Sequence, residues 1–195
     1  MQSAAYYNGE IASPEELRVP FLDRASFFGD GVYEATMVRD GVIIYLDEHM
    51  DRFENSMRLL RFEPPGERAW LQAELQRLVD MCDERDLFVY WQVTRGTAPR
   101  SHEFPACPPN LWIMAMPFAF ANLDETLDAI TFPDKRFGYC NIKTINLLPN
   151  VLAAQNAADH GGQEAIFLRD GIVTESSHKE QTQRKKKQTN KMNSI

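Results

Sequence analysis

Lys143 stands in the stretch CNIKTINLLPN (140–150), between Ile142 and Ile145 and just before Leu147 and Leu148. An ammonium group in so apolar a setting is costly unless it is paired, deprotonated or covalently changed. The competing reading is a snorkelling lysine, its stem on the core and its head in water. In WQVTRGTAPRSHEFP (91–105) a strand ends at Thr94-Arg95-Gly96, and a proline-bearing loop then presents Arg100 and His102. A fork of donors beside an imidazole suits the capture of a small carboxylate; the alternative is an ordinary polar loop. DRASFFGDGVYEA (23–35) sets two glycines and two acids before a strand, by default a turn. Arg52 reads as a solvated residue on a helix face. Glu175, at the end of IVTESS, matters only if a cation stands opposite it.

The elements that must position these groups follow from turn signals and periodicity. Asn8-Gly9, Asp40-Gly41 and Asp170-Gly171 each sit between apolar runs and accept the positive φ angles of a tight hairpin. LFVYWQVT (87–94) and LWIMAM (111–116) read as central strands, apolar on both faces. DEHMDRFENSMRLLRF predicts a helix with Asp47 as N-cap and Met50, Phe53, Met57 and Leu60 on one face. A second helix follows the Pro64-Pro65-Gly66 break, with Leu71, Leu75, Leu78, Val79 and Cys82 inward. A third starts near Pro149 and ends at Gly161-Gly162. This order predicts an α+β fold. It gives a small first domain over 1–120, a second domain over 121–178 carrying Lys143 and Glu175, and a linker at 118–128.

With 195 residues, 44% hydrophobic and 25% charged, the chain suits a globular protein with a substantial core. No apolar run is long enough to span a membrane and no signal peptide is evident, so cytoplasmic residence is the expectation. Three scattered cysteines suggest neither a disulfide framework nor a metal site. The net charge of −7 is uneven: residues 179–195 hold six Lys or Arg and one acid, leaving 15 basic and 27 acidic groups elsewhere. That tail has too few apolar groups to offset its ordering entropy and is expected to be disordered. Its Lys185-Lys186-Lys187 lacks interleaved aromatics, so nucleic acid and membrane are not expected partners.

Taken together and in order, DRASFFGDGVYEA, EHMDRF, VTRGTAPRSHEFP, NIKTINLLPNVLAAQNA and EAIFLRDGIVTESS resemble the fold-type IV pyridoxal-phosphate aminotransferases, most closely the D-amino acid transaminase branch. The resemblance implies a role for each position. Lys143 forms the Schiff base with pyridoxal 5'-phosphate and then carries the proton between substrate and coenzyme. Arg52 holds the phosphate, and Glu175 pairs with the pyridine nitrogen. Tyr33, Arg100 and His102 surround the substrate carboxylate, with the last two reaching in from a neighbouring subunit of a homodimer. The implied reaction exchanges an amino group between a small, D-configured amino acid and a 2-oxo acid.

The resemblance stops near Ser177, where the basic tail begins, so the second domain is expected to be incomplete and the tail to come from another reading frame. Two alternatives keep the family: a lyase of the aminodeoxychorismate type, and an inactive fragment lacking much of the phosphate-binding region.

Overall fold

Strands and helices share the first half of the chain, and the longer strands turn their side chains alternately toward the helices and outward. In a computed structural model, which describes residues 1–120 and 126–177, the elements begin with β1 (Ala4–Tyr7), β2 (Glu10–Ala12), α1 (Arg24–Phe28), β3 (Gly31–Arg39) and β4 (Val42–Ile43). They continue with α2 (Leu46–Leu59), α3 (Arg68–Asp80), β5 (Leu87–Thr94), β6 (Asn110–Pro117) and β7 (Ala129–Pro133). The last are α4 (Leu148–Asp159), β8 (Glu164–Arg169) and β9 (Ile172–Ser176). The fold is α+β, as expected, and divides into two compact units.

The first unit holds one antiparallel sheet in the order β2-β1-β6-β5-β3-β4. Its core lies on the face where α2 and α3 pack. Val32 and Val38 of β3, Val89, Trp91 and Val93 of β5, and Leu111 and Ile113 of β6 meet Met50, Phe53, Leu71, Leu75 and Leu78 there. Those helical residues recur at three- and four-residue spacing, which is why one apolar stripe suffices to bury each helix. Both β5 and β6 are interior strands, matching their two-sided apolar character. The hairpin pairs behave as their residue types demand: Asn8 and Gly9 have φ 47° and 102°, Asp40 and Gly41 have φ 52° and 80°.

The start of α2 differs from the expectation. Its N-cap is Tyr45, in the left-handed region at φ 52°, and Asp47 lies within the first turn. Asp47 and Glu48 there face the positive end of the helix dipole. Asp47 is also drawn outward, accepting hydrogen bonds from Arg68 and Gln72 of α3.

In the second unit β7 and β8 are parallel, joined through α4, and β9 returns antiparallel from β8 through Asp170-Gly171 (φ 52° and 77°). Ala153 and Ala157 of α4 bury against Ala165 and Phe167 of β8. A bulge opposite Phe167 and Leu168 places an extra residue, Thr174, in β9.

The chain does not divide where the sequence reading put the boundary. Phe137–Leu147, assigned above to the second domain, belongs to the first unit, and the second is Thr126–Arg136 with residues from Leu148 onward. The physical reason is backbone pairing: Thr144 bridges Val32, and Ile142 is buried in the first unit's core. Residues 121–125, the middle of the expected linker, and the basic tail from 179 lie outside the described residues.

Candidate active site

Lys143 is held by its backbone from two directions. Its carbonyl accepts from Tyr33 N of β3 (3.0 Å), and its own N–H donates to the Ser56 hydroxyl of α2 (3.3 Å). Two residues on, Ile145 N donates to Gly31 O (3.1 Å). Gly31 is required by this approach: a Cβ there would come within 2.9 Å of both Val93 O and the Ile145 side chain. Gly29 serves the same contact, with φ 59°, its carbonyl receiving Asn146 Nδ2 at 2.9 Å. The Gly-Asp-Gly motif is therefore a docking edge for the lysine segment as well as a turn.

The Lys143 side chain is half-buried, and Nζ stands 4.5 Å from the centroid of the Tyr33 ring. Its setting is less apolar than the sequence suggested. Ile142 is buried, but Leu147 and Leu148 are exposed. Tyr33 in turn stacks on Tyr90 at 5.4 Å between centroids. Burial, with the neighbouring Tyr33, pushes the Tyr90 phenol well above the usual tyrosine range, so its hydroxyl stays a donor, to Gln92 Oε1 (2.6 Å).

Arg52 is not simply solvated. It projects from α2 and makes a two-pronged contact with Glu34 of β3, Nε to Oε1 at 2.6 Å and Nη2 to Oε2 at 2.8 Å. Glu34 is fully buried, and His49, one turn before Arg52, places Nδ1 2.7 Å from the same carboxylate. Burial alone pushes the Glu34 carboxyl up. The hydrogen bonds from Arg52 and His49, aided by the charges of Arg52 and Lys143, outweigh it and hold the carboxyl below the ordinary glutamate range. Neither Glu34 nor His49 was singled out in the sequence. The available signal was a carboxylate at an inward position of a strand, which is uncommon without a paired cation.

Arg100 and His102 are exposed, and both meet Phe28 of α1: the Arg100 guanidinium lies 5.2 Å from its ring, the His102 imidazole 5.1 Å. Their loop is anchored by buried charges. Arg24 donates to Asp30 Oδ2 (2.8 Å) and to Ser101 O (2.5 Å). Arg95 donates to both Asp30 oxygens and to the carbonyls of Leu60 and Arg61, between the rings of Phe62 and Phe104. A cavity of about 290 Å³ lies here, lined by Phe28, Asp30, His102, Phe104, Thr144 and Asn146 among others.

Tyr33, Arg52, Lys143, Arg100 and His102 all belong to the first unit; Glu175 belongs to the second. It is exposed on β9, paired in register with Phe167, and its Oε1 accepts from Ser176 N at 3.2 Å. The same unit carries Asp134, whose side chain receives Arg136 (3.1 Å), Thr174 (2.7 Å) and Arg169 (3.1 Å). The Arg136 bond, which together with Thr174 outweighs the cost of burial, holds the Asp134 carboxyl well below the usual carboxylate range. Among the described residues, no helix is long and apolar enough to cross a membrane, and no group of three or more His, Cys, Asp or Glu could hold a metal.

Comparison with known proteins bears on this arrangement. The family model for amino-transferase class IV matches residues 31–179. The chain is 37% identical over 174 residues to the D-alanine aminotransferase of Bacillus licheniformis, covering 88% of this chain and 62% of the relative. It is 36% identical over 176 residues to a D-alanine aminotransferase of Staphylococcus epidermidis, with the same coverage. Among solved structures it is similar to the branched-chain amino acid aminotransferase of Escherichia coli (TM-score 0.77, 21% identity, 91% of this chain and 62% of that one). It is also similar to the branched-chain aminotransferase of Thermoproteus uzoniensis (TM-score 0.78, 22% identity, 89% and 62%). The chain thus spans about 62% of the length of the curated relatives it matches.

Proposed function

Because the chain belongs to the class IV aminotransferase family, we propose that it serves pyridoxal phosphate-dependent transamination of a small amino acid, with the D-configuration preferred. The observation that carries this reading is the placement of Lys143. Its backbone is pinned to both β3 and α2, and its amine lies on the Tyr33 ring, in the unit where Arg52 is held by Glu34. The resemblance to D-alanine aminotransferases supports the choice of substrate class.

The donor set fits the coenzyme. Lys143 offers a primary amine for its aldehyde, Arg52 a guanidinium for its phosphate, and Glu175 a carboxylate for its pyridine nitrogen. When bound, pyridoxal phosphate supplies a carbonyl and an electron-accepting ring. Lys143 anchors the coenzyme and, once exchanged for the substrate amine, moves a proton at the substrate Cα. Tyr33 stands next to that amine, where its hydroxyl orients a substrate carboxylate. Arg100 and His102, side by side on Phe28 in an exposed loop, serve the same carboxylate from a second copy of the chain, so the working form is a homodimer.

The test is chemical. Pyridoxal phosphate added to the purified chain is expected to give a coloured adduct that borohydride fixes on the peptide containing Lys143, and Lys143→Ala is expected to give none. D-alanine with 2-oxoglutarate is expected to release pyruvate faster than L-alanine does. A chain that stays colourless, or a label on another lysine, rejects the assignment.

A further inference from the structure

Glu34 is given no step in the chemistry above, yet it occupies an inward strand position of the kind apolar side chains usually fill. It points from β3 into the helix-covered core, directly across the strand pair from Trp91, and both are fully buried. Replacing a buried ion pair by packed apolar groups is often neutral or stabilising, so stability alone gives no reason for a carboxylate there. What the carboxylate does accomplish is geometric. His49 and Arg52 are three residues apart on α2, hence on one face. Glu34 binds both, taking two donors of the guanidinium at 2.6 and 2.8 Å and standing 2.7 Å from the imidazole. The two donors, Arg52 Nη2 and His49 Nδ1, lie 3.4 Å apart because they converge on the same carboxylate oxygen. The guanidinium plane is thereby set from inside the protein, while the Arg52 side chain remains 43% exposed toward solvent.

We propose that Glu34 is a positioning residue for anion capture: it holds the Arg52 guanidinium in a fixed orientation, so that Arg52 meets the phosphate of the coenzyme already ordered. The inference rests on the phosphate-binding role given to Arg52 above. An arginine side chain is rich in rotamers, and fixing it only on binding would cost affinity. Glu34 meets that cost during folding. His49 braces the second carboxylate oxygen, which keeps the fork from rotating. The lowered carboxyl pKa of Glu34 agrees with a carboxylate that stays ionised through the working pH range.

The experiment compares two ligands on the full chain. Pyridoxal phosphate and pyridoxal share the aldehyde and differ by the phosphate. In Glu34→Gln the dissociation constant for pyridoxal phosphate, read by absorbance, is expected to rise ~10-fold, and that for pyridoxal to change less than about 2-fold. In an Arg52→Ala background the same substitution is expected to add nothing, because the two residues act as one unit. Equal weakening of both ligands, or no weakening, overturns the inference and leaves the functional reading standing. Failure of the wild-type chain to bind either ligand sinks the functional reading first. A measurement without coenzyme or folding risk stands beside these. The wild-type Arg52 Nε–H, assigned by its loss in Arg52→Lys, is expected as a separate, slowly exchanging NMR signal at neutral pH. A signal averaged with those of solvent-exposed arginines would also overturn the proposal.

Discussion

Arg95 is 9% exposed and carries a full positive charge, which is affordable only because every side of its guanidinium is engaged. Asp30 takes its Nε, the Leu60 and Arg61 carbonyls take its terminal nitrogens, and Phe62 and Phe104 cover its faces at 4.3 and 3.7 Å. Removing one member of such a set strands the others without solvent, which costs more than the pair contributes net. Arg95→Met is therefore expected to destabilise the chain by about 3 kcal/mol, toward the low end for a broken buried pair because Asp30 keeps Arg24. Urea denaturation would show this as a lowered midpoint with an unchanged slope. The loop carrying Arg100 and His102 loses the Arg95 anchor in the same variant and keeps the one from Arg24 to Ser101 O. At this scale the sequence was a partial guide. It marked Lys143, Arg100 and His102 as chemically able and reached Arg52 only through the family resemblance; Glu34 offered just an inward-facing carboxylate, and His49 and Ser56 carry no local pattern. Their significance comes from contacts across 15 to 87 residues of chain.

At the scale of elements, the lysine segment and the first turn of β3 behave as one part. Two backbone–backbone hydrogen bonds join residues 143–145 to Gly31 and Tyr33, and Lys143 N donates a third to the Ser56 hydroxyl of α2. Gly31→Ala places a Cβ 2.9 Å from Val93 O, a backbone atom of an interior strand that cannot move aside cheaply. The expected result is a loss of about 1–3 kcal/mol and a lower yield of borohydride-fixed adduct at Lys143. Gly171→Ala is the control. Its φ of 77° is strained for alanine, but nothing lies within 4 Å, so it is expected to cost about 1 kcal/mol and leave the adduct yield unchanged. The contrast also shows what could be read in advance. Turns such as Asp170-Gly171 are legible because φ above zero restricts residue type locally. The faces of α2 and α3 are legible because burial repeats with the helix period. The parallel strand β7 was missed: its residues are at most half-buried, its partner β8 begins at Glu164, and no hairpin announces it. The membership of 137–147 in the first unit was missed for a related reason, since hydrogen bonds to a distant strand edge leave no periodicity behind.

For the whole molecule, the two units share a dependence on acid. Glu34 in the first and Asp134 in the second are both carboxylates held below their ordinary pKa by paired cations and hydrogen bonds. A depressed folded value means that the unfolded chain binds the proton more readily. Each group's contribution is therefore complete above the unfolded pKa, about 4, and is lost as pH falls through the depressed folded value. Stability should hold level from pH 7 to about 5 and then decline, each carboxylate adding a slope of up to about 1.4 kcal/mol per pH unit. Because the two lie in separate units, Asp134→Asn should lower stability at pH 7 and flatten the acid decline of β7–β9 alone. Glu34→Gln should do the same for the six-stranded sheet. Amide hydrogen exchange at pH 7, 5, 4 and 3 resolves the two units separately. If either substitution flattened the decline in both units equally, the two units would lose structure as one cooperative body; if neither flattened it, the pairing of these carboxylates would not be its source.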